Sequence, residues 1–120
     1  MAVTEIVNTK MVRNEAVAIP ATVAVATPAD GAAVDFSNQS DGRILVILEN
    51  ANSSAAKTAT IQAGDGIQGV ADLEISIPAS TKEGIVVESG CFVQNKGENK
   101  GKILVVAEST DIKVAAIELP

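Results

Sequence analysis

The chain carries nucleophilic side chains but lacks the base that most often activates them. A few hydroxyl and thiol groups could attack an electrophilic centre after losing a proton: Ser53, Ser54, Ser89 and Cys91. The 120 residues include no histidine, the side chain that exchanges protons most readily near neutral pH. A Ser-Lys or carboxylate-only mechanism stays open on composition alone. We nevertheless expect no catalytic residues, and therefore a protein that is not an enzyme.

A glycine-rich stretch and two aspartates are the other features that could hold a ligand. Residues 64–69, Gly-Asp-Gly-Ile-Gln-Gly, have the glycine spacing of a dinucleotide-binding loop, which requires a helix after it. An alternating, strand-like sequence follows instead, so we expect a loop between two strands. Asp65 and Asp72 are too few for Ca²⁺, which takes six to eight oxygen ligands, and fit turn caps better. One thiol without an imidazole cannot form a zinc site. We expect neither a cofactor nor a metal ion.

Charge and cysteine content exclude several classes of partner. The formal net charge is -6, whereas binding to nucleic acid or to an anionic membrane requires clustered lysine and arginine. We therefore expect no nucleic-acid partner and no membrane partner. The single cysteine, Cys91, excludes an internal disulfide, so the fold does not depend on an oxidising compartment. Residues 16–26 resemble a signal-peptide core only weakly, because Pro20 interrupts them and Glu15 precedes them. We expect a soluble protein made in the cytoplasm.

The first thirty residues differ in composition from the rest and predict an extended N-terminal arm over 1–30. Residues 15–30 are built largely from Ala and Val with two prolines, which break helices. Two interpretations remain open. The arm could be an edge strand packed on its own domain, or it could leave the domain and lie on a neighbour. For the second case we select Val17, Ile19, Val23 and Val25 as partner-binding residues.

Residues 31–120 predict an all-β domain, a single small β-sandwich or β-barrel of the jelly-roll or immunoglobulin-like kind. Short Val/Ile/Leu runs alternate with turn residues, including Asp-Gly pairs at 30–31, 41–42 and 65–66. The run at 44–48 is apolar at every position and predicts a central strand covered on both faces. Residues 58–62 and 73–77 predict half-buried strands. We expect further buried strands at 85–87, 103–106 and 112–119, with Glu118 facing solvent or a partner.

One local cluster of basic residues interrupts the acidic chain. The sequence Asn95-Lys-Gly-Glu-Asn-Lys-Gly-Lys102 has the composition of an exposed hairpin loop. An exposed loop alone explains the cluster of lysines. The loop could also dock on an acidic surface, where charge complementarity sets the register of the two partners and their association rate. For that case we select Lys96, Lys100 and Lys102 as partner-binding residues.

Several segments together resemble a group of small virion proteins of tailed bacteriophages. They are Gly42–Asn50, Ala56–Leu73, Glu88–Phe92, Gly101–Val105 and Lys113–Pro120. The resemblance covers roughly residues 30–120 and consists of strand-and-turn patterns, without catalytic motifs. It implies a β-sandwich that decorates or cements the capsid, commonly as a homotrimer bound to the major capsid protein, with an N-terminal arm reaching across neighbouring subunits. The implied location is the capsid surface of the virion.

Two other functions remain open at the level of sequence. The chain could be another virion part, such as a tail-tube or head-tail connector subunit, which would form rings or stacked tubes. It could also be a receptor-binding or glycan-binding sandwich. Sugar sites usually stack on aromatic side chains, however, and this chain has only two, Phe36 and Phe92.

Overall fold

A computed structural model of the chain describes residues 3–36, 43–64, 71–87, 89–95 and 97–120. Within these ranges there are ten β-strands and one short helical turn. The strands are β1 (Thr4–Ile6), β2 (Asn8–Lys10), β3 (Val23–Ala24), β4 (Ala32–Asp35), β5 (Ile44–Asn50), β6 (Lys57–Ile61), β7 (Leu73–Ile77), β8 (Thr81–Ile85), β9 (Lys102–Ala107) and β10 (Ile112–Glu118). The helical turn, α1, spans Ser89–Phe92 and precedes β9.

The strands form two mixed sheets that pack together as a β-sandwich, as the sequence predicted. Sheet A has the order β1-β4-β9-β6-β7, and sheet B has the order β2-β10-β5-β8, with β3 also pairing with β10. At one side of the sandwich the chain passes from β1 in sheet A to β2 in sheet B. At the opposite side it passes from β7 in sheet A to β8 in sheet B. Consecutive strands therefore connect the two sheets at both sides.

The core lies between the sheets and is built from aliphatic side chains that alternate along each strand. In β5, Ile44, Val46 and Leu48 are buried, whereas Leu45 and Ile47 on the other face are only partly buried. The prediction of a central strand is confirmed, because β5 pairs with β10 on one side and β8 on the other. The prediction that both faces of this strand are covered is wrong, since the outer face of sheet B has no second sheet over it.

The N-terminal residues are part of the sandwich. Strand β1 pairs in parallel with β4, and β2 pairs in parallel with β10, so residues 4–10 contribute to both sheets. Val7 lies at the crossover between them and is 83% exposed. Further along, β3 pairs antiparallel with β10. An extended arm over 1–30 is therefore not confirmed, because much of this range pairs with strands of its own chain.

Strand β8 differs from its prediction. Residues 85–87 were expected to form a buried strand, but the strand runs from Thr81 to Ile85 and Val86 is 50% exposed. The sequence Thr-Lys-Glu-Gly-Ile has little intrinsic strand preference. It adopts strand geometry because it pairs with β5 in continuous register, from Asn50 opposite Thr81 to Val46 opposite Ile85. Pairing across the sheet thus outweighs local propensity, and the charged side chains suit an edge strand.

The described turn at Asp30-Gly31 confirms one of the three predicted Asp-Gly turns. Thr27 O accepts hydrogen bonds from the backbone N–H groups of both Asp30 and Gly31, each at 3.0 Å. Gly31 has φ +82°, and a Cβ at this position would lie 2.7 Å from Val105 O. Only glycine satisfies both constraints without strain. The other two Asp-Gly pairs, 41–42 and 65–66, lie outside the described residues.

Asn50 at the end of β5 is a buried polar side chain with its hydrogen bonds satisfied. Its Nδ2 donates to Ala55 O and to Ile77 O, each at 2.9 Å, and its Oδ1 accepts from Asn52 N at 2.9 Å. These bonds join the end of β5 to the following turn and to β7 in the opposite sheet. Burial of an amide is tolerated when its donors and acceptor are paired, as they are here.

Candidate partner-binding surface

Residues 12–21, here called the connecting segment, join β2 to β3 and lie outside both sheets. The segment is held at its two ends. Met11 N donates to Glu118 O at 2.8 Å, and the Thr22 hydroxyl donates to the Glu49 carboxylate. Because Glu49 lies on the outer face of β5, the segment returns to the sandwich over the outer face of sheet B. Among the described residues, the backbone hydrogen bond made by residues 12–21 is local: Glu15 N donates to Val12 O at 3.3 Å.

The connecting segment exposes apolar side chains. Val12 is 50% exposed and Ile19 is 68% exposed, and Val23, just beyond the segment in β3, is also exposed. A β-branched side chain in water makes few packing contacts and gains little from this position. Several large apolar groups exposed within a short stretch of chain are typical of surfaces that contact another molecule.

The four apolar side chains selected from the sequence occupy three different environments. Ile19 and Val23 are exposed, and Val17 is partly buried. Val25 is fully buried in the core of its own chain, and its backbone N–H donates to Ile112 O at 3.2 Å. Val25 therefore packs with the sandwich and presents no surface to a neighbour in this structure. Alternation in the Ala/Val stretch does not indicate this inward position, since Val23, two residues earlier, is exposed.

The three selected lysines are also placed differently from one another. Lys100 is exposed in the loop before β9, which is closed by hydrogen bonds from Gly101 N to Gln94 O and from Gln94 N to Lys102 O. The described residues form an exposed loop, as predicted, but it follows α1 and not a strand, so a hairpin is not confirmed. Lys96 lies outside the described residues. Lys102 belongs to β9, opposite Asp35, and its Nζ lies 2.6 Å from Glu5 Oε1. It is therefore held against β1 and is not part of a free basic loop.

A cleft of about 310 Å³ opens beside this ion pair, where the chain crosses from β1 to β2. Its lining is acidic and apolar: Glu5, Ile6, Val7, Asn8, Asp35, Lys102 and Glu118. The sequence does not indicate this cleft, because its residues come from five strands and a crossover. Parallel pairing of two three-residue strands at the N-terminus brings them together, and such pairing has no short-range sequence signal.

Glu118 lies in this cleft and corrects a prediction. It was expected to face solvent or a partner, but its side chain is only 5% exposed. The reason is that this end of β10 is buried on both faces: Ala115, Ile117 and Glu118 are all buried. Among the described residues, the ion pair near the cleft joins Lys102 to Glu5. Glu118 forms no ion pair with another described residue.

Asn8 presents a second polar group to the cleft. Its Nδ2 donates to Asp35 O at 2.8 Å, which fixes the orientation of the amide because a carbonyl oxygen could not replace the donor there. Its Oδ1 is buried and has no hydrogen-bond partner among the described residues. A buried acceptor in this state is unusual in folded proteins.

The groups first considered for chemistry serve local structure where they are described. Asn52 Oδ1 accepts from Ser54 N and Ser54 Oγ, at 2.9 and 3.2 Å, which makes this serine part of a capped turn. Asp72 Oδ1 accepts a hydrogen bond from Ala63 N, nine residues earlier, at 2.7 Å, so its carboxylate has a structural partner, while its predicted role as a turn cap stays a prediction and Asp65 lies outside the described residues. Among the described residues no group of three or more His, Cys, Asp or Glu side chains is arranged to hold a metal ion.

Comparisons with known proteins give no relative for this chain: no protein-family model matches it, and no curated protein or solved structure matches it significantly. The part of the chain that the structure describes contains no helix with the length and apolarity needed to span a membrane.

Proposed function

We propose that this protein is a capsid decoration protein of a tailed bacteriophage. It binds the outside of the capsid as a homotrimer, without enzymatic activity, and stabilises contacts between subunits of the major capsid protein. The resemblance of residues 30–120 to small virion proteins supports this function. So does the acidic net charge of -6, which disfavours nucleic acid as the partner.

The observation that carries the proposal is the connecting segment. It offers Val12 and Ile19 to solvent on a stretch of backbone that pairs with neither sheet. An extended segment of this kind can lie along a neighbouring subunit or add a strand to an exposed sheet edge. Because Met11 and Thr22 hold its two ends, the neighbour would meet an anchored loop, which loses less conformational entropy on binding than a free arm would.

Repetition of modest contacts supplies the affinity in this proposal. A trimer presents three connecting segments, and engagement of one raises the effective concentration of the other two. No single aromatic anchor is then required, which suits a chain without tryptophan or tyrosine. Light scattering should give a mass three times the chain mass of 12.2 kDa, and a monomer or a large ring would contradict the trimer.

Binding to stripped capsids tests the function. Phage capsids freed of accessory proteins are mixed with the purified protein and sedimented, and we expect the protein to sediment with the shells at saturating stoichiometry. Absence of binding at every salt concentration tried would refute the proposal.

A matched pair of variants then tests the surface. Val12→Ser and Val86→Ser each remove an apolar side chain that is 50% exposed, the first in the connecting segment and the second after β8. We expect only Val12→Ser to weaken capsid binding, with both variants melting at the wild-type temperature. Equal loss of binding in the two variants would exclude the connecting segment as the contact surface.

A further inference from the structure

Strand β7 lies at one edge of sheet A and has a free side. It pairs with β6 over its whole length, and none of the other described strands lies on its opposite side. Its backbone N–H and C=O groups that point away from β6 can therefore hydrogen-bond to another strand. Strand addition at a sheet edge is a recurrent mode of protein recognition.

The other edges of the two sheets carry features that disfavour strand addition, and β7 does not. Strands β1 and β2 have only three residues each. Strand β8 contains Lys82 and Glu83, followed by Gly84, and charged residues and short strands protect an edge from pairing. Strand β7 has five residues that alternate strictly, with a single charge at Glu74. Among the described strands it is thus the edge best suited to accept a partner strand.

The inner face of β7 is incompletely covered by its own chain. Leu73 and Ile75 pack against the core but stay partly exposed, whereas Ile77 is fully buried. An added strand with apolar side chains on this face would extend the core past Leu73 and Ile75 and would remove their apolar surface from water. The occupant must therefore be a strand that alternates as β7 does.

The sequence of β7 is complementary to itself in one antiparallel register. Leu-Glu-Ile-Ser-Ile has the same apolar–polar order in both directions, so a second copy turned about Ile75 keeps the apolar residues of both strands on the inner face. Leu73 then lies opposite Ile77 of the copy, and Glu74 lies opposite its Ser76. A register centred on Glu74 would oppose two carboxylates, and a shift by one residue would turn apolar side chains to solvent.

We propose that β7 pairs antiparallel with β7 of a second copy about a two-fold axis at Ile75, so that sheet A continues from one copy into the other. A two-fold contact closes after two copies and is separate from the three-fold contacts of the proposed trimer. Five residue pairs make a small contact beside the ~1,200–2,000 Å² that stable interfaces bury, so the pair dissociates in dilute solution and forms where copies are concentrated. The inference does not rest on the proposed function, because the contact involves no capsid.

An NMR dilution series of the full chain tests the pairing. We expect the backbone amide signals of residues 73–77 to shift between roughly 20 μM and 2 mM protein, with a dissociation constant of roughly 1 mM. The amides of β10, which is paired on both sides, are the internal control and should stay constant. Absence of shifts in residues 73–77, or shifts confined to β8, would overturn the proposal.

Contacts between methyl groups test the register. Within one strand, Leu73 and Ile77 are four positions and thus ~13 Å apart, so a nuclear Overhauser effect between their methyl groups must join two copies. The sample mixes chains labelled at leucine with chains labelled at isoleucine. We expect this effect at millimolar concentration and its loss on dilution. Its absence in a sample whose β7 amides do shift would overturn the proposed register.

Two substitutions at the exposed Ser76 should change the pairing in opposite directions. Ser76→Lys places an ammonium opposite Glu74 of the copy, twice in a two-fold contact, and should tighten association about three- to tenfold. Ser76→Glu places a carboxylate there and should weaken association by a similar factor.

Matched substitutions at Ser53 separate this local effect from net charge. Ser53→Lys and Ser53→Glu make the same charge changes in an exposed turn and should alter association less than about twofold. Equal effects at positions 53 and 76 would show that net charge governs association and would overturn the β7 contact. Tighter association of Ser76→Glu than of Ser76→Lys would contradict the placement of Glu74 opposite Ser76.

Discussion

Strand β10 and the connecting segment have similar side chains and opposite roles. Both are built mainly from Ala, Val and Ile with an occasional charge. Strand β10 pairs with β5 on one side and with β2 and β3 on the other, and its apolar side chains are buried. The connecting segment pairs with neither sheet and exposes Val12 and Ile19. Composition alone therefore does not decide whether an aliphatic stretch stabilises the fold or remains available for binding; pairing partners decide it.

The largest expected difference comes from the same substitution made in both regions. Ile112→Ala in β10 should lower the free energy of unfolding by about 2–5 kcal/mol, because it removes a fully buried side chain from the core. Ile19→Ala in the connecting segment should change it by less than about 0.5 kcal/mol. Urea denaturation followed by circular dichroism measures both. Similar losses in the two variants would erase the distinction between the regions.

A substitution at Asn50 tests whether the stability of the region around β10 also depends on a buried polar side chain in the neighbouring strand β5. Asn50 lies opposite Ile112 in the β5–β10 pair, and its side chain makes three hydrogen bonds. Asn50→Ala leaves buried partners unpaired and should cost about 2–3 kcal/mol in the free energy of unfolding. Ser53→Ala, in the exposed turn that follows, is the control and should cost less than about 0.5 kcal/mol. A cost below that limit for Asn50→Ala would show that the amide network contributes nothing.

A pair of glycines tests the turn that leads from β3 into β4. Both have positive φ, +82° for Gly31 and +77° for Gly97, but only Gly31 has backbone atoms within reach of a Cβ. Gly31→Ala should therefore cost about 1–3 kcal/mol more than Gly97→Ala, since it adds a clash with Val105 O to the strain that both share. Thermal unfolding compares the two variants. Equal destabilisation would mean that β9 moves away from the added methyl group without a measurable loss of stability.

The smallest effect concerns the anchor at the end of the connecting segment. Thr22→Val keeps the shape of the side chain and removes the hydrogen bond to Glu49. We expect a loss of about 0.5–1.5 kcal/mol or less in the free energy of unfolding, together with faster cleavage of the segment by a protease. Thr9→Val, in β2, is the matched control for cleavage. Unchanged cleavage after Thr22→Val would show that this bond does not hold the segment.

The strands with strong alternation could be predicted from the sequence, and the ones defined by pairing could not. Residues 73–77 alternate between apolar and polar side chains, and β7 has these bounds. The runs at 44–48, 103–106 and 112–119 likewise mark β5, β9 and β10. Strands β1 and β2 have only three residues each and exist through parallel pairing with β4 and β10, and the paired residues are 28 or more positions apart in the chain. Local patterns carry no information about such pairing.

The candidate sites show the same limit. The exposure of Ile19 and Val23 agrees with their selection as surface residues, while their binding role stays a prediction. Val25 is buried whereas Val23, two residues before it, is exposed, so alternation does not predict its position. Glu118 is buried together with its neighbours because this end of β10 is covered on both faces. The pairing of Lys102 with Glu5 joins residues 97 positions apart, so no loop composition could reveal it.

Hydrogen exchange of the free and the capsid-bound protein decides whether residues 12–21 contact the capsid. In the free protein, backbone amides of residues 12–21 should exchange fast and those of β10 slowly. The reason is that β10 is hydrogen-bonded to strands on both sides, whereas residues 12–21 pair with neither sheet. On stripped capsids, we expect protection of residues 12–21 with little change in β10. Protection confined to other surfaces, such as the β7 and β8 edges, while residues 12–21 continue to exchange fast, would contradict it.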